Sequence, residues 1–256
     1  MPFAICTVPL MPMRVLPGHT HEMVSQLLFG ECMEVLESQA DGWMKVRSRP
    51  DGYEGWSTES QADPIDEALF EGNDSSCTGS LLNEIILDGQ PVHVPLGCPL
   101  KGFCNGKAAW GSRSLQYRGK LLHPGSVPVT AELVKETAFA YLNTAYLWGG
   151  RSNFGVDCSG FTQSVYRLLG FALPRDAWQQ AEKGDVVGFL AMARCGDLAF
   201  FENTEGRITH VGVLLSDTEI IHASGRVRVD KIDPEGIVHA TSGRRTHKLR
   251  VIKRFF

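Results

Sequence analysis

Between residues 13 and 63, apolar and polar positions alternate in short runs: MRVL, MVSQLLFGE, MEVLES, GWMKVRS and YEGWST. The turn-forming stretches QADG and RPDG separate them. This pattern predicts a small antiparallel β-barrel. At residues 43–47 the period is two, with Trp43, Lys45 and Arg47 on one face and Met44 and Val46 on the other, as in a half-buried strand. Residues 64–123 continue the strand-like texture in IILDGQPVHVPLG, LKGFCNG and SLQYRGKLL, which predicts a second, more degenerate barrel. The texture changes after Pro124-Gly125-Ser126-Val127-Pro128. TAELVKETAFAYLNTAY has helical apolar spacing, with Thr130 placed to cap its start. Helices followed by strands then predict an α+β segment. The expected division is 1–63, 64–125 and 126–256.

The next periodic stretch is CSGFTQSVYRLLGF. Phe161, Val165, Leu168 and Leu169 fall at i, i+4, i+7 and i+8, one apolar stripe that stops at Gly170 in the C′ position. Asp157 suits the N-cap, so Cys158 falls in the first helical turn. Spare backbone N–H groups and the positive end of the dipole favour a thiolate there. Such settings bring a cysteine from about 8.5 to roughly 3.5–7.5. The neighbouring Asp157 carboxylate opposes this and needs a partner of its own: helix N–H groups or a cation, for which a substrate amine would serve. Glycines 149, 150 and 155 let the preceding loop turn sharply and let another stretch of chain approach closely.

RITHVGVLL and EIIHASG are two strand runs around the polar turn Ser216-Asp217-Thr218. A hairpin centred near Asp217 sets Leu214 opposite Ile220 and Gly212 opposite His222. His210 and His222 then share a face as a diagonal pair about 7–8 Å apart. A nucleophile, a base and an orienting group fit this geometry: Cys158 attacks, His210 takes and returns its proton, and His222 fixes the tautomer of His210. A spare N–H of the first turn can meet the oxyanion. The rival reading is a two-histidine metal site, against which no carboxylate or third histidine stands at ligand spacing from the pair. His19, His21, His93, His123, His239 and His247 are expected at the surface.

Composition narrows the field. A net charge of −4 offers no basic footprint, so neither nucleic acid nor an anionic membrane is an expected partner. No apolar run approaches the about 18 residues of a transmembrane helix. The start MPFAICTVPLMPM lacks a basic n-region and carries three prolines, so it reads poorly as a signal peptide. The expectation is a cytoplasmic protein, or a periplasmic or extracellular one if a leader has been removed. Seven scattered cysteines are not a secreted disulfide framework. Cys98 and Cys104 are the one close pair, open to a disulfide or half a metal site, but reduced, buried thiols are the expectation for six of the seven. No metal and no cofactor are expected, and a monomer is favoured.

Taken together, YLWGGRSNFGVDCSGF, LPRDA, GDLAFF, ITHVGVLL and IIHASG resemble the NlpC-type cell-wall cysteine peptidases over roughly residues 130–256. The run "LLFGE…VLE…GWMKVR…DGYEGW" resembles a bacterial SH3-like domain. With such a domain in front, the chain is similar to the γ-D-glutamyl-L-diamino acid endopeptidases of dipeptidyl-peptidase VI type. The resemblance implies a papain-like catalytic domain behind one or two SH3-like barrels. It implies a triad of Cys158, His210 and His222, acting on small muropeptides with a free N-terminal L-Ala in murein recycling. Asp157 and Ser159 match residues that read the L-Ala amine and nearby polar groups. Tyr53 matches a tyrosine lent by the barrel, with a packed barrel aromatic as the alternative. Glu22 is a second barrel candidate, or a solvated charge. Arg175 and Asp176 fall in the family's LPRDS stretch, Asp176 lining the pocket, but Ala177 stands where serine is usual, which puts one substrate hydrogen bond in doubt. Trp148 and Tyr146 either wall the pocket or belong to the core. Two rival functions stay open: a papain-like amidase or acyltransferase on another substrate, and a catalytically inert wall-binding protein.

Overall fold

Seven antiparallel strands from residues 3–64 form one sheet, in the order Met23–Leu28, Leu10–Arg14, Glu54–Thr58, Trp43–Ser48, Cys32–Ser38, Phe3–Cys6 and Ala62–Pro64. The protein is seen in a computed structural model that describes residues 2–72 and 76–256. Met1 and residues 73–75, which fall in the two predicted β segments, lie outside the described residues. The run expected at MRVL ends early. Its strand stops at Arg14, where the register slips, and Val15 and Leu16 are exposed. Trp43 shares a face with Lys45 and Arg47 as the alternation predicts, yet it is buried, with the His19 ring 5.1 Å away. Lys45 and Arg47 on that face pair with Glu54 and Glu34.

The second β segment is a four-stranded antiparallel sheet, ordered Gln90–Pro95, Leu82–Leu87, Arg113–Tyr117 and Lys107–Trp110, plus a ribbon of Cys77–Thr78 with Leu121–Leu122. Its hairpin turns on Asp88 and Gly89, with φ of 50° and 79°, the left-handed pair a two-residue turn requires. LKGFCNG is not a strand. Gly102, Asn105 and Gly106 have φ of 68°, 48° and 74°, which no extended chain tolerates. Ile5, Leu28 and Phe29 of the first segment pack in one cluster with Ile85, Val94, Trp110 and Leu115 of the second. The two β segments therefore share a core. Residues 1–124 together with 148–153 make one compact unit, and residues 125–147 with 154–256 make another.

In the second unit, helix α1 (Ala131–Phe139) starts at Thr130, whose hydroxyl accepts the Leu133 N–H at 3.2 Å. It is shorter than its apolar spacing predicts. Asn143 turns into the left-handed region, and the N–H groups of Asn143 and Val227 bond to the carbonyls of Val227 and Thr144. Tertiary pairing there outcompetes helix propensity. Helix α2 (Cys158–Leu168) begins and ends where predicted. Asp157 caps it by accepting the Gly160 N–H at 2.7 Å, and Gly170, with φ of 95°, follows its C-cap. The short helix α3 (Ala177–Ala181) is led by Asp176, whose N–H donates to Gln179 Oε1.

Seven antiparallel strands complete this unit: β1 (Asp185–Val187), β2 (Leu198–Glu202), β3 (Ile208–Leu214), β4 (Glu219–Ser224), β5 (Arg226–Asp233), β6 (Gly236–Val238) and β7 (Arg245–Arg254). They run in the order β1-β7-β2-β3-β4-β5-β6. A further β6–β7 pairing closes six of them into a barrel with β1 outside. Helix α2 packs on β3 and β4. Of its stripe, Phe161, Val165 and Leu169 are buried as expected and Leu168 is half-buried, while Thr162, Gln163 and Tyr166 are buried as well. Tyr166 donates to the Gly196 carbonyl inside a nest of Phe171, Phe255 and Phe256. Among the described residues no helix is long and apolar enough to cross a membrane.

Candidate active site

The 216–218 turn sets the register of two strands, and the register sets the histidines. Gly212 pairs with His222, Val213 with Ile221 and Leu214 with Ile220, as the hairpin argument requires. His210 and His222 therefore point to one face, and Nε2 of the first lies 2.8 Å from Nδ1 of the second. Both rings are buried and cross at 85°. Gly212 makes room for this: a Cβ there would lie 2.8 Å from both His222 Cβ and Ile220 Cδ1. Gly212→Ala is therefore expected to cost about 1–3 kcal/mol by overpacking, measured by chemical denaturation. Unchanged stability would mean the hairpin absorbs the methyl without moving His222.

Two neighbours of the pair were not legible as such. Asp230 on β5 sits diagonally across from His222, which pairs directly with Arg228. Its Oδ2 lies 3.0 Å from His222 Nε2, while Oδ1 accepts from Arg228 Nη2 at 2.7 Å and from the Ala240 N–H at 2.8 Å. Burial works to raise this carboxyl, but the hydrogen bonds from His222, Ala240 and Arg228 overcome it and hold it well below the usual carboxylate range. His247, expected at the surface, is half-buried and stacks on His210 with ring centroids 4.1 Å apart. Burial and then the neighbouring His222 push His247 down to about 4. Asp230 comes from the next strand, across the hairpin at Gly225, whereas His247 lies far along the chain on a strand whose pairing no local pattern announces.

These neighbours change the metal argument. A carboxylate and a third histidine do stand beside the pair, and nitrogens of His210, His222 and His247 lie within 4.8 Å of one another. The first two rings of that set bond directly to one another at 2.8 Å.

Cys158 opens α2 as expected, and its Sγ meets the carbonyl of Thr209, the residue before His210, at 3.9 Å. Its electrostatics differ from the expectation. The residue is 5% exposed, and burial first, then the Asp157 charge, push the thiol up to about 12. Burial first, then His222 and His247, hold His210 well below its ordinary value. The resting pair is thus a thiol and a neutral imidazole. Tyr146 feels the same charges: burial, then Cys158 and Asp157, raise its hydroxyl.

Asp157 already has its partners. Gly160 N–H donates to Oδ1, and Arg175 reaches Oδ2 at 2.5 Å and Oδ1 at 3.1 Å. Arg175, itself 2% exposed, also donates to Ser159 Oγ at 2.9 Å. Both kinds of partner that the sequence left open for Asp157 are present, a helix N–H from Gly160 and a cation, Arg175. Asp176 caps α3, and Ala177 behind it is buried. Gln180 from α3 donates to the carbonyls of Ser159 and Pro174 and accepts from Thr162, clamping the start of α2.

In the first unit, Glu22 accepts from Trp148 Nε1 at 2.7 Å, so two residues singled out separately form one hydrogen-bonded pair. Tyr53 packs at the edge of the barrel core. The glycine question in WGGRSN also has its answer there. A Cβ on Gly149 would lie 2.6 Å from the Met23 carbonyl, and Arg151 enters a buried ion pair with Glu31 at 3.0 Å. All seven cysteines are thiols, with Cys98 buried and Cys104 exposed.

Comparison with known proteins gives two matches to family profiles: the NlpC/P60 family over residues 143–246, and the bacterial dipeptidyl-peptidase Sh3 domain over residues 13–61. The gamma-D-glutamyl-L-lysine dipeptidyl-peptidase of Bacillus subtilis (strain 168) is 33% identical over 220 residues, covering 78% of this chain and 71% of that protein. Dipeptidyl-peptidase 6 of Lysinibacillus sphaericus is 26% identical over 242 residues, covering 84% and 86% respectively. A crystal structure of an NlpC/P60 family protein from Bacillus cereus superposes with a TM-score of 0.82 at 18% identity, over 98% of this chain and 99% of that one, a likeness of fold.

Proposed function

The chain belongs to the NlpC/P60 family, and from that premise we propose that it is a cysteine endopeptidase of peptidoglycan stem peptides. It cleaves the γ-D-glutamyl-L-diamino acid bond of small muropeptides with a free N-terminal L-Ala. The supporting observation is a cysteine in the first turn of α2 whose sulfur meets β3 at the residue before His210, which is hydrogen-bonded to His222 on β4. In this reading Cys158 attacks the amide carbonyl, and His210 takes its proton at the nitrogen not bound to His222. Spare N–H groups of the first turn receive the oxyanion. His210 then protonates the departing amine, and water hydrolyses the thioester. Asp157, Ser159, Arg175, Asp176, Glu22, Tyr53 and Trp148 are assigned to substrate on the motif resemblance. The free L-Ala preference places the enzyme in murein recycling, downstream of an amidase.

The test uses L-Ala-γ-D-Glu-L-Lys and its N-acetyl form. The wild-type chain is expected to cleave the first and spare the second. Cys158→Ala is expected to lower kcat by about 10⁴-fold or more. A Cys158→Ala variant that keeps wild-type turnover removes the peptidase reading. Equal turnover of both peptides removes the free-amine requirement.

A further inference from the structure

A hydrogen bond between two histidines can run in either direction, and only one direction leaves a usable base. His210 bonds to His222 through Nε2, so the lone pair it can offer a thiol is on Nδ1. That lone pair exists only if the His210 proton sits on Nε2 and is donated to His222 Nδ1. His222 must then carry its own proton on Nε2. If the proton positions are reversed, His210 carries a hydrogen on Nδ1 and cannot accept another there.

We propose that Asp230 is a positioning residue that sets the tautomers of both histidines, making the constellation a relay of Cys158, His210, His222 and Asp230. This rests on the reading of Cys158 as nucleophile and His210 as its base. An ionised carboxylate only accepts hydrogen bonds. With Oδ2 at 3.0 Å, it requires His222 to donate from Nε2. Nδ1 of His222 is then a lone pair, and at 2.8 Å it requires His210 to donate from Nε2. One negative charge fixes two proton positions in sequence. The charge is well secured: Oδ1 is held by Arg228 and the Ala240 N–H, and these bonds, with that to His222, outweigh the burial of the carboxyl group. When His210 becomes a cation during the reaction, the same carboxylate stabilises it through the intervening neutral ring.

Among the described residues, the rings of His210 on β3 and His247 on β7, and Arg228 and Asp230 on β5, lie around His222.

The discriminating variant is Asp230→Asn. Its amide oxygen can still accept from Arg228 and Ala240, while its NH₂ faces His222 Nε2 and donates where a carboxylate accepted. Both histidines are then expected to move their protons to Nδ1. At neutral pH kcat for the tripeptide should fall by about 10³-fold or more, with KM changed by no more than about threefold. Long-range ¹⁵N correlation spectra of the imidazoles should report Nε2–H tautomers for His210 and His222 in the wild type and Nδ1–H tautomers in the variant. A purely structural role would change stability without reversing the tautomers. Turnover within about threefold of wild type in a folded Asp230→Asn chain overturns the proposal, and so does an Nδ1–H His210 in the wild type. The wild-type spectrum decides the matter even if the variant does not fold. It also needs no substrate, so a failure of the peptidase reading, seen as a wild-type chain without hydrolysis, is distinguishable from a failure of the relay.

Discussion

Alkylation of Cys158 by iodoacetamide in the substrate-free protein is expected to be slow at neutral pH and to climb about tenfold per pH unit into the alkaline range. Two effects compete at this sulfur. A helix N-terminus is worth about 0.3–1 kcal/mol to an anion, and at most about 2 in a partly buried site. Removing a thiolate from water acts over several pKa units, each worth about 1.4 kcal/mol. Burial wins, Asp157 adds to it, and the thiol stands near 12. A neutral His210 beside a protonated thiol holds the same number of protons as an ion pair, but the charges appear only when a substrate carbonyl is attacked. Site-resolved mass spectrometry checks the prediction, with exposed Cys104 as the reference for reagent access. A rate that is already high and flat across neutral pH would mean a preformed thiolate–imidazolium pair, and this account of activation would be wrong.

Replacing Arg175 by Met is expected to destabilise the protein by about 3–5 kcal/mol, the usual consequence of stranding one half of a buried ion pair. Asp157 would keep the Gly160 N–H but lose both guanidinium contacts, and Ser159 Oγ would lose its donor. The effect should reach the sulfur as well, because Arg175 is one of the groups that draw the Cys158 thiol downward. Adding Asp157→Asn to the Arg175→Met chain should restore much of the stability. An asparagine can still cap α2, and it leaves no uncompensated charge. Chemical denaturation of the single and double variants measures both changes. A single variant within about 1 kcal/mol of wild type would show that the pair carries little of the weight assigned to it.

The hairpin of β3 and β4 was the most legible part of the site. Its turn residues are local and its apolar alternation is unambiguous, so the pairing of Gly212 with His222 could be written down from spacing alone. The same holds for α2, whose cap, stripe and terminal glycine all lie within 14 consecutive residues, 157 to 170. Asp230 and His247 were missed for different reasons. His247 meets the pair only through the pairings of β7 with segments distant in sequence, whereas Asp230 lies on the adjacent β5 and was missed because the β4–β5 hairpin at Gly225 was not read. LKGFCNG was misread because its apolar residues mimic a strand while three left-handed residues forbid one.

By itself, then, the chain's sequence determined what adjacent residues can enforce on one another: the cap that starts α2 at Cys158 and the register that sets His210 beside His222. Tertiary structure alone decided the quantities that depend on surroundings. It buried the sulfur and so kept it protonated, gave Asp157 an arginine, and stacked a third histidine on His210. Capping, turns and strand alternation act over a few residues and leave a trace in their order. Desolvation and through-space pairing act over ångströms between segments separated along the chain, and they leave none.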